Sequence, residues 1–311
     1  MTMDPGSYMT DNDIAAKIKK LKTEKDAVIL AHNYQIGQVQ DIADFVGDSL
    51  QLSIEASRTE SSIIVFCGVH FMAETAKILN PGKKVLLPDK DSGCPMADMI
   101  TAADLKKLKA GHPGAVVICY VNSTAEVKAL SDICCTSSNA VKVVESVPPD
   151  DDIIFIPDKY LGSYVQSKTG RKMILWNGYC PTHVRINARN IIELKRKHLD
   201  AEVVVHPENT PDVIEVADRV ESTGGMLRYV KESPKKTFII GTETGIIHRL
   251  KKENPGKVFI PAMDRAICPN MKLITLEKVL WSLEREETEV IVPEDIARKA
   301  KSAIDRMIAL K

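Results

Sequence analysis

Short apolar runs, each stopped by polar residues, recur along this chain. Ala27-Val28-Ile29-Leu30-Ala31 ends at His32-Asn33-Tyr34. Ala115-Val116-Val117-Ile118-Cys119 ends at Tyr120-Val121-Asn122, and Glu202-Val203-Val204-Val205 ends at His206-Pro207-Glu208. A continuous run of this length predicts a strand buried on both faces, as in a parallel sheet. Second runs follow at residues 63–66, 153–156 and 238–240, and third runs at 84–88, 172–176 and 257–261. Helical spacing fills the gaps: Ile14, Ile18 and Leu21 within 13–25, then Ile42 and Val46, the segment 71–79, and Val213, Val216, Ala217 and Val220. Asn80-Pro81-Gly82, Thr169-Gly170 and Asn254-Pro255-Gly256 punctuate the ends of later helices.

The offsets repeat as well. Ser49, Ser137 and Thr223 each follow a strand end (His32, Tyr120, His206) by 17 residues. Three Cys-Pro pairs, at Cys94, Cys180 and Cys268, follow the third runs at intervals of 86 and 88 residues. Strands alternating with helices predict parallel sheets joined by right-handed crossovers. The expected fold is therefore α/β: three pseudo-threefold-related α/β/α units with short parallel sheets, and a site at their junction. The expected units are 13–108, 109–195 and 196–275. A helical segment at 276–311 then packs across them, its stripe Ile296, Ala300, Ile304 and Ile308 lying in a helix over 293–310. Residues 1–12 read as a tag or disordered leader. Met1 to Tyr8 resemble a vector remnant, with native translation starting at Met9.

Charge and composition then narrow the function classes. Lys+Arg and Asp+Glu are both 42, so the chain lacks the basic footprint of a general nucleic-acid binder. No apolar run approaches the roughly 20 residues that span a bilayer, and no signal peptide is visible, so the expected location is cytoplasmic. Seven cysteines in 311 residues do not form the dense spacing of a disulfide framework.

Polar groups at strand ends are where open α/β sheets place ligands. Ser49, Ser137 and Thr223 also sit where new helices should begin. Read plainly they are N-caps. Their equal offset adds a second reading, in which three helix N-termini offer free N–H groups to carboxylates or phosphate.

The cysteines have three readings. Cys67 and Cys119 lie in or beside apolar strands and suit the role of buried small hydrophobes. Cys134 and Cys135 are structural or site-lining. For the three Cys-Pro cysteines, a catalytic zinc with three ligands is one reading, though the paired C-x-x-C knuckles of structural zinc are absent. The other is a [4Fe–4S] cluster on three thiolates, with one iron free to act as a Lewis acid. The near-equal spacing favours the cluster.

Several ordered motifs resemble the quinolinate synthase family: His32-Asn33-Tyr34-Gln35, Gly47-Asp48-Ser49, Gly93-Cys94-Pro95-Met96-Ala97, Cys135-Thr136-Ser137-Ser138-Asn139, Trp176-Asn177-Gly178-Tyr179-Cys180, His206-Pro207-Glu208 and Ser222-Thr223-Gly224. The resemblance implies condensation of iminoaspartate with dihydroxyacetone phosphate to quinolinate, losing phosphate and two waters, in de novo NAD biosynthesis. L-Aspartate oxidase or aspartate dehydrogenase would supply the iminoaspartate. It implies a [4Fe–4S] cluster on Cys94, Cys180 and Cys268. It makes Tyr34, His206 and Glu208 the acid–base candidates. His32, Ser49, Tyr120, Asn122, Ser137 and Thr223 become substrate-binding residues. Some members carry two further cysteines after the third ligand. Here those positions are Met271 and Ile274, so a disulfide there cannot form. Two alternatives remain: another [4Fe–4S] hydro-lyase, and a non-enzymatic iron–sulfur redox sensor.

Overall fold

The computed structural model describes residues 9–310, and the expected vector remnant at 1–8 lies outside them. The first helix, Asp11–Glu24, starts two residues before the expected 13. The Thr10 hydroxyl caps it by accepting from the Asp13 N–H, and the Asp13 carboxylate reaches back to the Thr10 N–H. Residues 10–12, expected within the leader, are thus part of the folded chain.

Twelve parallel strands form three sheets. They are β1 (Ala27–His32), β2 (Phe45–Gly47), β3 (Ile63–Cys67), β4 (Lys84–Leu86), β5 (Val116–Tyr120), β6 (Ile133–Cys135), β7 (Ile153–Ile156), β8 (Ile174–Leu175), β9 (Glu202–Val205), β10 (Arg219–Val220), β11 (Thr237–Gly241) and β12 (Val258–Pro261). The order is the same in each sheet: β2-β1-β3-β4, β6-β5-β7-β8 and β10-β9-β11-β12. Each is a parallel α/β unit, as the pattern predicted. Every residue of β3 and β7 is buried, as a run covered by helices on both faces requires.

One element per sheet differs from expectation. Segments read as wholly helical contain the short strands β2, β6 and β10. The helix Gly37–Ile42 stops at Ala43, which is extended, and the chain then pairs in register Leu30↔Phe45. An aspartate makes the switch. The Asp44 carboxylate accepts from the Ile29 N–H at 2.8 Å, and the Asp44 N–H donates to the Ile29 carbonyl at 2.9 Å. Asp132 does the same with Val117, and Asp218 with Val203. In each copy the aspartate is 15 residues beyond its partner and five before the hydroxyl. This clasp fixes the start of the edge strand, and it is what holds the hydroxyl at one offset.

Helix ends follow local chemistry. Gly170 closes the helix Lys159–Thr169 with φ +69°, the left-handed conformation in which a β-carbon is disfavoured. Two helices complete the chain. Leu276–Arg285 packs on Asp11–Glu24, and Glu294–Ala309 packs on β6 and on the helices His70–Leu79 and Ala125–Lys128. In the latter, Ala300, Ala303, Ile304 and Met307 are buried.

Candidate active site

Three kinds of chain segment meet where the sheets adjoin. The first is the end of each central strand: His32 closes β1, Tyr120 closes β5, and His206 follows β9. The second is the start of a helix. Ser49 and Thr223 open the helices Ser49–Arg58 and Thr223–Glu232, whereas Ser137 lies three residues before Ala140–Glu145. The third is the Cys-Pro turn beyond the last strand of each sheet, β4, β8 and β12. Every residue that the sequence singled out for the site lines one cavity, with Cys94, Cys180 and Cys268 together in its wall. Cys67, Cys119, Cys134 and Cys135 instead lie fully buried in strands.

Each Cys-Pro pair leads into a 3-10 turn, at Ala97–Met99, His183–Arg185 and Asn270–Leu273. Proline has no N–H and a fixed φ, so the next free N–H groups turn back toward the sulfur. The backbone amides of Ala97 and Met96 favour the thiolate of Cys94, that of His183 favours Cys180, and those of Met271 and Asn270 favour Cys268. Burial nevertheless pushes the Cys94 thiol up to about 12 and raises Cys180 and Cys268. Three thiols that cannot ionise alone, each with amide donors at sulfur, suit a shared cationic centre.

The other wall is a hydrogen-bonded ring. Tyr120 Oη donates to Glu208 Oε1 at 2.5 Å, and His183 Nδ1 lies 2.8 Å from Glu208 Oε2 and 3.0 Å from Cys180 Sγ. Tyr34 Oη is 2.6 Å from Thr242 Oγ1, which is 2.8 Å from His183 Nε2. Burial alone would raise the Glu208 carboxyl. The His183 and His206 imidazoles and the Tyr120 hydroxyl outweigh that and hold it below the ordinary carboxylate range. Burial, then the Glu208 charge, raise the Tyr34 and Tyr120 phenols well above their usual value. Both tyrosines therefore keep their phenolic protons at neutral pH and act as hydrogen-bond donors.

The two strand-end histidines are set alike. The Tyr34 N–H donates to His32 Nδ1 at 3.2 Å, and the Glu208 N–H to His206 Nδ1 at 3.3 Å. An Nδ1 that accepts leaves the ring proton on Nε2. Burial holds both imidazoles neutral, at about 3. His206 Nε2 then donates to Ser137 Oγ at 3.1 Å, which leaves the Ser137 proton free for a ligand. Asn122 Oδ1 is buried at the cavity without a partner among the described residues. Such an atom awaits a donor from a ligand.

His183 and Glu243 also line the cavity and were not singled out from the sequence. His183 falls three residues after Cys180, where the sister turns carry Ala97 and Met271. That break in the repeat was its one visible signal. Cys180, His183 and Glu208 form a group whose ligand atoms lie within 4.8 Å of one another, close enough to hold a metal ion.

Residues 16–309 match the family model described as quinolinate synthetase A protein. The chain belongs to the quinolinate synthetase A family. A quinolinate synthase of Dehalococcoides mccartyi is 57% identical over 295 residues, covering 95% of this chain and 97% of the relative. Quinolinate synthase 1 of Methanosarcina acetivorans is 53% identical over 303 residues, covering 97% and 99%. A quinolinate synthase of Pyrobaculum aerophilum is 52% identical over 299 residues, covering 94% and 97%. The chain is an enzyme of this type. Among the described residues no helix is long and apolar enough to cross a membrane.

Proposed function

We propose that this enzyme condenses iminoaspartate with dihydroxyacetone phosphate to give quinolinate, phosphate and two waters, as the ring-forming step of NAD biosynthesis in the cytoplasm. The observation that carries this reading is the meeting of three thiols and three hydroxyls, one of each from every α/β unit, in one cavity. The reaction is redox-neutral, so it needs acid–base groups and anion donors and no external oxidant.

Cys94, Cys180 and Cys268 would hold a [4Fe–4S] cluster. All three are cysteine sulfurs beside backbone amides that favour the thiolate, and iron–sulfur clusters take cysteine thiolates as ligands. When bound, it supplies a Lewis acid at an iron that has no cysteine. The remaining chemistry falls to the chain. Ser49, Ser137 and Thr223 donate to carboxylate and phosphate oxygens, Ser49 and Thr223 beside the free N–H groups of the helices they open. His32 orients those anions as a neutral Nε2–H donor, and His206 acts through Ser137, whose oxygen takes its Nε2–H. Glu208, ionised between Tyr120 and His183, accepts protons in the eliminations. Tyr34 is the acid candidate for the departing oxygens, and Tyr120 holds the Glu208 carboxylate by donating its phenolic proton. The rival arrangement is a single zinc ion on Cys180, His183 and Glu208, a mixed donor set that zinc accepts.

Anaerobic purification, iron and sulfide analysis and an assay with freshly generated iminoaspartate plus dihydroxyacetone phosphate test the proposal. One cubane of iron and sulfide per chain with quinolinate formed is the expected result. A cluster without quinolinate points to another hydro-lyase or to a sensor, and zinc without iron points to the rival site. Glu208→Gln should keep the cluster and lower kcat about 100-fold or more. Full turnover in that variant removes Glu208 from the mechanism.

A further inference from the structure

Arg249 is not in the cavity, but its partner Asn33 hydrogen-bonds Thr223, which lines it. It lies half-buried on the helix Ile246–Glu253 of the third sheet and crosses to the first. Its Nη1 donates to Asn33 Oδ1 at 3.0 Å and to the Val46 carbonyl. Its Nε donates to Glu253 Oε1 at 2.5 Å, which anchors the guanidinium from its own helix. Asn33 is fully buried, and its Nδ2 donates to Thr223 Oγ1 at 2.9 Å. Its N–H bonds the Gly47 carbonyl at 3.1 Å, two residues before Ser49.

The polarity of this chain of bonds follows from the guanidinium. Arginine has donors only, so the amide edge facing it must be the carbonyl of Asn33. The Asn33 NH2 is thereby turned to Thr223, whose oxygen must accept. Among the described residues no acceptor takes the Thr223 proton, and Thr223 lines the cavity. Its hydroxyl is left as a donor to whatever anion occupies the site. Ser137 reaches the same state by a different route, through the Nε2–H of His206.

We propose that Arg249 is a positioning residue: through Asn33 it fixes the Thr223 hydroxyl as a donor to an anionic group of the substrate or product. This rests on the functional reading above. Without Arg249, the Asn33 amide is free to rotate and present its oxygen to Thr223. The threonine proton would then point away from the ligand.

The test is calorimetric titration of quinolinate into the anaerobic holoenzyme, with thermal melting to verify folding and with KM and kcat measured in parallel. Arg249→Ala should bind quinolinate about ten-fold more weakly, the scale of one lost bond to a charged group, with KM rising and kcat retained. Arg249→Lys retains a donor for Asn33 Oδ1 and should restore most of the affinity. Asn33→Asp keeps the arginine contact and the side-chain volume but can only accept from Thr223. It should bind at least as weakly as Arg249→Ala, and it carries the test if that variant fails to fold. Lys252→Ala, which removes a 2.6 Å pair to Asp41 on the same helix and the same seam, should bind as wild type. If the wild type binds quinolinate and Asn33→Asp or a folded Arg249→Ala binds equally well, the positioning role is wrong and the functional reading stands. If Lys252→Ala weakens binding as much as Arg249→Ala, the effect belongs to the seam as a whole and the role is again wrong. If the wild type does not bind quinolinate, the functional reading and this inference fall together.

Discussion

The first two sheets and the third are built alike and joined differently. Residues of the first and second sheets share one continuous apolar core with the C-terminal helices, running from Ile14 through Phe66 and Phe155 to Ile304 and Met307. The third sheet has cores of its own: Val203, Ile239 and Ala262 on one face, Phe238, Leu250 and Phe259 on the other. Its links to the rest are largely polar. Arg249 reaches Asn33, Asn270 reaches Gly93, Lys272 reaches the Tyr34 carbonyl, and Tyr120 reaches Glu208. Ser138 Oγ donates to Asp48 at 2.7 Å and lies 2.8 Å from Ser222 Oγ, so all three sheets touch at one point. There a β-carbon on Gly224 would come within 2.4 Å of the Asp48 carboxylate, so only glycine allows the approach. Apolar cores hold their surfaces together, whereas polar seams exchange protein bonds for water at little net cost. The cavity lies in the polar seam. The lesson is that the first two sheets share one apolar core and the third keeps its own, with the site in the polar joint between them.

The largest effect should come from cutting each core in turn. Phe155→Ala and Phe238→Ala both remove a fully buried ring, at a cost of about 3–5 kcal/mol each. Hydrogen exchange should separate them. Phe155→Ala should lower protection across β1–β8 and the C-terminal helices. Phe238→Ala should lower it in β9–β12 and leave the others near wild type. Loss spread over the whole chain in Phe238→Ala would mean that the three sheets unfold as one unit.

The middle case is the clamp between two cysteine turns. Ser92 Oγ donates to the Asn270 carbonyl at 3.0 Å, and Asn270 Nδ2 donates to the Gly93 carbonyl at 2.8 Å. This reciprocal pair ties the Cys94 turn to the Cys268 turn. Asn270→Ala should cost about 1 kcal/mol and speed exchange in those two turns, while β3 and β11 stay protected. Equal acceleration in β11 would show that the seam and the third core are not separate.

What the sequence made legible follows the same division. The central strands could be read because they are buried on both faces, and an apolar run needs no knowledge of its partners. The short strands β2, β6 and β10 could not, because two or three residues carry little pattern. Their signal was one aspartate per copy, five residues before each hydroxyl. The strand-end and Cys-Pro residues were visible through repetition. His183, Glu243 and Arg249 were not, because they act where the repeat is broken or across the seam. Glu243 is fully buried, accepts from the Cys268 N–H at 3.1 Å and pairs with Lys272 at 3.0 Å. Nothing in its neighbours Thr242 and Thr244 announces that. Arg249 meets Asn33 across 216 residues of chain, and only the docking of the third sheet brings them together.

The smallest effect tests whether the seam responds to solution conditions as the cores do not. Asp41, in the helix Gly37–Ile42 that follows β1, meets His248 at 3.1 Å and Lys252 at 2.6 Å on the third sheet's helix. All three side chains are substantially exposed, so the cluster is worth under about 1 kcal/mol at low salt. Burial pushes the Asp41 carboxyl up, and the bonds from Lys252 and His248 with their charges together outweigh it and bring it below the usual aspartate range. A depressed folded pKa gives stability that is fully present at pH 7 and is lost only as pH falls through that lowered value. Asp41→Asn should therefore lower stability slightly at pH 7 in about 0.05 M salt. The difference should disappear at about 1 M salt, where the screening length shrinks to about 3 Å. Phe238→Ala, measured beside it, should keep its full cost at both salt concentrations. If the Asp41 difference survives high salt, the cluster is held by desolvated contact and not by charge, and the seam is closer to a core than its composition suggests.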